Sequence, residues 1–296
     1  MSQLPEFDPA VLCAVAPGGQ CEFGPPRAFH DRSGRVGDVS VLRCRHCGHG
    51  ITHPPLAEVA FLYADRASQD FQPTTAGLAH RIKRLAFRRD ASRLLRQVGS
   101  KPRRTLDFGC GSGLFTRCLG DLLPEAEVVG TDFHEAPPAD LAGRLYVPNA
   151  ELDAQQDSFD LVLAMHVIEH DDDPAALVRR IVALGRTGSR FVFEVPNVDC
   201  VWAGVFGEAW DAWYVPFHRI HFSRASFRAV IERSDLVIER EIDVCLPSMG
   251  RTLANLLGTR NTLPLLLAGI ALHPIQWLGE RLTRKPSALR IIARKR

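Results

Sequence analysis

The 296-residue chain has no excess of either charge, since 36 Lys and Arg stand against 34 Asp and Glu. A balanced total gives no general attraction to nucleic acid or to an acidic membrane, so only local patches remain to be weighed. Met1 to Ala10 carries Glu6 and Asp8 and lacks a basic stretch followed by an apolar one; no secretory leader is read there, and a cytoplasmic location is expected. The apolar stretch Leu263 to Leu272 is too short, and too interrupted by Pro264, His273 and Pro274, to cross a bilayer. Repeat periods and low-complexity tracts are also missing. What is left is a globular chain, 46% apolar, long enough to bury one sizeable core and to carry an appended module.

Four of the eight cysteines, Cys13, Cys21, Cys44 and Cys47, fall in the first fifty residues. In a reducing compartment, a cluster with a Cys-x2-Cys element points to metal rather than to disulfides. Cys44-Arg45-His46-Cys47-Gly48 has the spacing of a zinc knuckle, and four thiolates complete a tetrahedral site. Cys13 and Cys21 are separated by seven residues. An alternative is therefore a degenerate knuckle in which Cys13 is a small buried apolar residue and His46, His49 or His53 substitutes as a ligand.

Residues 1–55, rich in Pro, Gly and Cys, read as this zinc-ribbon-like module, and His53-Pro54-Pro55 ends it. Residues 56–100 form a helical lead-in, in which Leu78, Ile82, Leu85, Leu94, Leu95 and Val98 recur at helical spacing until Gly99. From 101 to 296 strands and helices alternate. Strands are predicted at Thr105–Phe108, Glu127–Thr131, Phe159–Ala164, Arg190–Val195, Leu236–Val244 and Ala288–Ala293, with helices at Leu114–Leu123, Ala175–Leu184 and Ser223–Ser234. This alternation implies a doubly wound α/β sheet covered on both faces. An apolar helical insertion over 247–284 precedes the last strand.

The strongest chemical signal is Asp107-Phe108-Gly109-Cys110-Gly111-Ser112-Gly113, a strand entering a glycine turn and then a helix. Glycines let the backbone bend sharply and approach a ligand. The spacing departs from the G-x-G-x-x-G of dinucleotide sites, because the sixth position is Leu114. Asp132 ends the next strand, twenty-five residues after Asp107, where a carboxylate can accept both hydroxyls of a ribose. A nucleoside cofactor follows from the pair.

This segment resembles the first motif of class I S-adenosylmethionine-dependent methyltransferases, and Asp132 matches the acid at the end of their second strand. The resemblance implies a Rossmann-like seven-stranded sheet and S-adenosyl-L-methionine as cofactor, held by Asp107, Gly109, Cys110, Gly111, Gly113, Asp132, Phe133, Asn149 and Met165. Of these, Asn149-Ala150-Glu151 occupies the place of the adenine contact, although the segment before Phe159 is shortened. Some members of the family carry an N-terminal zinc ribbon, usually with a tight Cys-x2-Cys first pair.

Met165-His166-Val167-Ile168-Glu169-His170 resembles the H-V-L-E-H segment of a small-molecule subgroup. His166 stands where a general base could take a proton from a hydroxyl; otherwise it only shapes the pocket, since displacement at a sulfonium needs little beyond alignment. Glu169 and His170 are either metal ligands, as in the E-x-x-E-H arrangement of some RNA and quinone methyltransferases, or a structural pair. The N-P-P-Y-like turn of nucleobase methyltransferases is missing. Trp202, Phe206, Trp210, Trp213 and Tyr214 either wall an apolar substrate or pack a lid, and Glu169, His170, Trp213, His218 and His221 are the candidates for substrate contact.

Arg81 to Arg104 carries ten Arg or Lys and one Asp, suited to a phosphate-bearing partner or to a solvated helix face. The insertion, flanked by Arg281, Arg284 and Lys285, permits peripheral contact with an anionic membrane or a lid over a lipid-linked substrate, or it is a cap on the sheet. The expected activity is methyl transfer to a hydroxyl, or alternatively a carbon, of a small molecule such as a sugar, quinone or lipid-linked glycan. The rivals are an RNA 2′-O-methyltransferase and a non-catalytic zinc-ribbon protein that senses the cofactor.

Overall fold

The computed structural model describes residues 21–31, 36–56, 60–63, 77–259 and 261–296. Cys13 lies outside them. Three short strands come first, β1 (Arg27–Phe29), β2 (Val39–Arg43) and β3 (Gly50–His53), followed by helices α1 (Ala60–Tyr63) and α2 (Leu78–Val98). Next come β4 (Arg104–Phe108), α3 (Leu114–Leu122), β5 (Glu127–Thr131), β6 (Phe159–Met165), α4 (Pro174–Leu184) and β7 (Gly185–Pro196). The remainder comprises α5 (Val201–Phe206), β8 (Ile220–His221), α6 (Arg224–Glu232), β9 (Leu236–Val244), α7 (Met249–Leu256), α8 (Leu263–Thr283) and β10 (Ala288–Lys295).

Six strands form the large sheet in the order β5-β4-β6-β7-β10-β9, parallel from β5 to β7 and antiparallel at β10 and β9. Apolar residues alternate along each strand and feed two cores. Leu161, Leu163 and Val192 join Ala91, Leu94 and Leu119 of α2 and α3 on one face. Val162, Phe191 and Phe193 join Val178 and Ile181 of α4 and Phe227 and Ile231 of α6 on the other. Local chemistry sets the helix ends. Gly99 closes α2 with φ 69° and an N–H to Leu95 O of 3.0 Å, and Asp173 caps α4 by accepting from Ala176 N at 2.9 Å, with Pro174 in the first turn.

The seven-stranded expectation is corrected to six strands among the described residues. Where another strand would flank β5, a single parallel bridge joins Gly130 to Tyr146. Pro137, Pro138 and Pro148 bracket this stretch, and proline supplies no N–H to a ladder.

The N-terminal strands are not left to themselves. They form a second sheet, β1-β2-β3-β8, whose last strand comes from the far side of β7. Its core joins Phe29, Val39 and Val41 to Val198, Trp210, Trp213 and Val215. The insertion folds as the hairpin α7–α8. There a Cβ at Gly269 would lie 2.5 Å from Gly250 N, so only glycine lets the two backbones come this close.

Candidate active site

The turn after β4 and the end of β5 are locked together by backbone groups. Gly109 N and Cys110 N each donate to Thr131 O at 2.9 Å. Asp132 Oδ2 accepts from Gly111 N at 2.7 Å, and Oδ1 from Phe133 N at 2.8 Å. Gly109 and Gly113 have φ of 76° and 77°, and a Cβ there would sit 2.5 Å from Val167 Cγ2 and 2.4 Å from Leu141 Cγ respectively. The turn therefore needs glycine for conformation and for room.

Burial pushes the Asp132 carboxyl up, and the two backbone N–H groups work against that shift. Asp107 is more deeply placed: burial raises it to about 6, and its Oδ2 accepts from Thr116 Oγ1 at 2.6 Å, so it ties β4 to α3. Asn149 lies beside Asp132, its N donating to Asp132 O at 3.2 Å, while its own Oδ1 is buried with no hydrogen-bond partner. Phe133 is half exposed, Cys110 is buried with its thiol pushed up by burial, and Met165 ends β6 opposite Glu194.

His166 follows Met165 in the left-handed region, φ 57°, which few L-residues adopt without support from their surroundings. Its Nε2 lies 3.0 Å from Glu194 Oε1 and its Nδ1 3.3 Å from Glu169 Oε1. Burial alone would push the imidazole down, but the bonds to Glu169 and Glu194 outweigh it and hold the pKa up, to about 10. Both carboxylates favour the protonated ring. The ring expected as a general base is thus held between two carboxylates at the end of β6.

Glu194 is the other anchor, and sequence reasoning missed it together with its partner. Arg290 pairs with it across β7 and β10 and donates from Nε to Glu194 Oε2 at 2.5 Å. The same guanidinium reaches Asp90 Oδ2 at 3.1 Å and Gln97 Oε1 at 3.1 Å on α2. Burial alone would raise the Glu194 carboxyl, yet hydrogen bonds from His166 and Arg290 hold it below its ordinary value. The available signal was a lone charge in each of two apolar runs, Phe191–Val195 and Leu289–Ala293.

The residues proposed from sequence for substrate contact separate into two groups. Glu169, His170 and His218 converge, with their donor atoms within 4.8 Å of one another, a spacing that would allow a shared cation. The His170 and His218 rings face Phe217 O and Ala212 O through Nδ1, each at 2.9 Å. Trp213 and His221 do not join them. Trp213 is 3% exposed, packs in the core of the small sheet and donates to Gly207 O at 3.0 Å. Burial lowers His221 to about 3, and its Nε2 meets Thr52 Oγ1 at 2.9 Å. Both are buried in the packing of the small sheet, where they and His218 line one small cavity. The aromatic segment packs under the small sheet instead of walling an open cavity.

In the N-terminal module, Cys21, Cys44 and Cys47 bring their sulfurs within 4.8 Å of one another. His46, His49 and His53 are not in this group. Gly48, φ 70°, turns the knuckle, and its N donates to Cys44 O at 3.0 Å. Ser223 Oγ, which caps α6, also donates to Cys47 O, so the knuckle is fastened to the large domain. The basic stretch is partly neutralised, Arg84 by Asp121 at 3.3 Å and Arg104 by Glu127 at 2.5 Å. Beside it a cleft of about 580 Å³ is lined by His80, Arg81, Arg84, Arg117 and Asp140.

A family model described as a methyltransferase domain matches residues 77–241. The chain belongs to that family. With the parallel strands β5 to β7, the glycine turn and the acidic strand end, residues 77–241 form a methyltransferase domain of class I, S-adenosylmethionine-dependent type. Curated relatives include the ubiquinone biosynthesis O-methyltransferases of Stutzerimonas stutzeri (strain A1501), 27% identical over 106 residues, 32% of this chain and 45% of that protein, and of Acinetobacter baumannii (strain AYE), 31% identical over 116 residues, 34% of this chain and 47% of that protein. The chain spans a little under half the length of these relatives. A similar solved structure is the 1,6-didemethyltoxoflavin-N1-methyltransferase of Burkholderia thailandensis with bound S-adenosylhomocysteine. It has a TM-score of 0.51 at 17% identity and covers 92% of this chain and 99% of that one. At this identity the likeness establishes the fold.

Proposed function

We propose that this methyltransferase acts on a hydroxyl group of a small apolar or lipid-attached molecule, of quinone or lipid-linked glycan type. One observation carries the cofactor half of the reading: the Asp132 carboxylate and the Gly109–Gly113 turn meet at the edge of β4 and β5, 2.7 Å apart at Gly111 N. The buried, unpartnered Asn149 Oδ1 beside them fits an adenine amino group, because a buried acceptor is costly until it is paired. The O-methyltransferase relatives favour oxygen as the nucleophile.

S-adenosylmethionine supplies a methyl group on a sulfonium, ready for in-line displacement. The protein's part is to bind and align. Asp132 would take the ribose hydroxyls, and the bare glycine backbone would admit the methionyl portion. His166, fixed by Glu169 and Glu194, would hold the shape and charge of the wall at the end of β6. Purified protein given labelled cofactor and a lipid-containing metabolite extract should yield S-adenosylhomocysteine and an acceptor heavier by one CH2 at oxygen. Methylation of nitrogen only, or of RNA, would reject the acceptor class while leaving the cofactor assignment intact.

We also infer a structural zinc ion held by Cys21, Cys44 and Cys47, with Cys13, outside the described residues, as the fourth ligand. Three clustered thiols suit zinc. Elemental analysis should find one zinc per chain, lowered in Cys47→Ser together with thermal stability; metal-free native protein would reject the ion.

A further inference from the structure

Helix α8 is half embedded and half bare. Its inner side is held by polar bonds: Gln276 donates to Leu246 O at 2.5 Å and to Glu280 Oε1 at 2.8 Å, and Glu280 Oε2 accepts from Ser287 N at 2.9 Å. Gly269 seats on Gly250 of α7, and Gly279 lies against the Trp202 ring of α5. The outer side carries Leu263, Leu267, Ile270, Ile275, Leu278 and Leu282, each between 44% and 75% exposed, with Trp277 at 48%. Spacings of three to five residues place them along one broad face, about 30 Å long for a helix of 21 residues. Leu256 and Leu257, 52% and 69% exposed, extend it at the end of α7. A contiguous apolar surface on this scale marks an interaction site.

Charge decides what covers it. From Met249 to Lys285 the sequence carries five Arg and Lys and a single carboxylate, Glu280, which is buried; of the five, Arg251 pairs with Asp211. Arg281, Arg284 and Lys285 are exposed at the end of the stripe and form no ion pair among the described residues. Arg281 lies over the Trp277 ring at 5.3 Å. An apolar stripe edged by cations, with an indole at the boundary, is the pattern of a helix lying in the interface of an anionic bilayer. A second copy of this chain would bring like charges together. No described helix is long and apolar enough to cross a membrane, so the attachment is peripheral.

We propose that the outer face of α8 docks the enzyme on an anionic lipid surface. The inference stands on the α7–α8 surface alone and holds whatever the acceptor proves to be. Its test is co-sedimentation of the full chain with vesicles of phosphatidylcholine, alone or mixed with phosphatidylglycerol, while cofactor affinity is followed separately by calorimetry.

Binding is expected to the mixed vesicles and to weaken with added salt. The triple variant Trp277→Ser/Leu278→Ser/Leu282→Ser should lower it roughly tenfold or more, and Arg281→Glu/Lys285→Glu should lower it as well. Both variants should bind cofactor like the parent, which guards against misfolding. Protein that stays in the supernatant with both vesicle types would overturn the inference. So would partition that neither variant alters. A dimer in sedimentation velocity that the serine variant dissociates, without vesicle binding, would give the face to a second copy instead.

Discussion

Two sets of buried charge stand near each other at the same edge of the large sheet and are built by opposite means. Asp107 and Asp132 arise within twenty-five residues of sequence, and Asp132 is steadied by backbone N–H groups from its own strand end and from the adjoining glycine turn. Asp90, His166, Glu169, Glu194 and Arg290 span 200 residues and steady one another through alternating charge. Neutral backbone donors leave the Asp132 carboxylate's charge uncompensated and available to a ligand's hydroxyls, whereas the cations of the second set compensate the charge of Glu194. The first set is therefore suited to holding a molecule, and the second to holding the sheet and the left-handed turn at His166.

Substitutions should break the two sets differently. The largest effect is expected for Gly113→Val, whose Cβ would meet Leu141 Cγ at 2.4 Å in a backbone at φ 77°; calorimetry should detect no cofactor binding, and affinity within tenfold of the parent would show that the turn does not approach the ligand. Next is Arg290→Met, which strands the buried Glu194 carboxylate. Breaking such a pair costs about 3–5 kcal/mol, to be read by denaturant unfolding, with cofactor affinity of the folded protein unchanged. Asp132→Ala reverses the pattern. Loss of its charged hydrogen bonds should weaken cofactor binding by about 2 kcal/mol, roughly thirtyfold, with a loss in unfolding of about 1 kcal/mol for the Gly111 and Phe133 N–H groups left without their acceptor; a loss of stability as large as that of Arg290→Met would erase the distinction.

The most gradual effect concerns pH. The folded pKa of His166, about 10, lies above its ordinary 6.5, so its contribution to stability is complete below about 6.5 and fades as pH rises toward 10. Glu194 runs the other way: its carboxyl is held low, so its contribution is present above the ordinary carboxylate range and is lost in acid. Unfolding free energy measured across this range should fall on the alkaline side in the parent and flatten in His166→Gln. An unchanged slope in that variant would place the proton elsewhere.

The difference between the two sets also explains what could be read in advance. The β4 turn, Asp132, the α2 helix and the Asp173 cap are local, and residue type and spacing define each of them. Arg290 against Glu194 is a matter of register between strands far apart in the chain, and a sequence shows only that both charges interrupt apolar runs. The burial of Trp213 and His221 was hidden from sequence for a related reason. Their neighbours, Phe29 and Thr52, come from the N-terminal strands, so an aromatic cluster that reads as a substrate wall is filled from a distance. The shortened segment before Phe159 was visible, but its reduction to one bridge at Tyr146 was not.

The small sheet borrows its fourth strand, Ile220–His221, from the middle of the chain, and Arg219 beside it donates to the carbonyls of Thr52 and Pro54 at 3.1 and 2.6 Å. Deleting residues 1–55 would therefore not detach a bead from a string. It would uncover Trp210 and Trp213 and take two acceptors from a buried guanidinium, leaving it Asp172, so a chimera that exchanges this end with a relative's has to carry the segment from Val198 to Ser223 along with it.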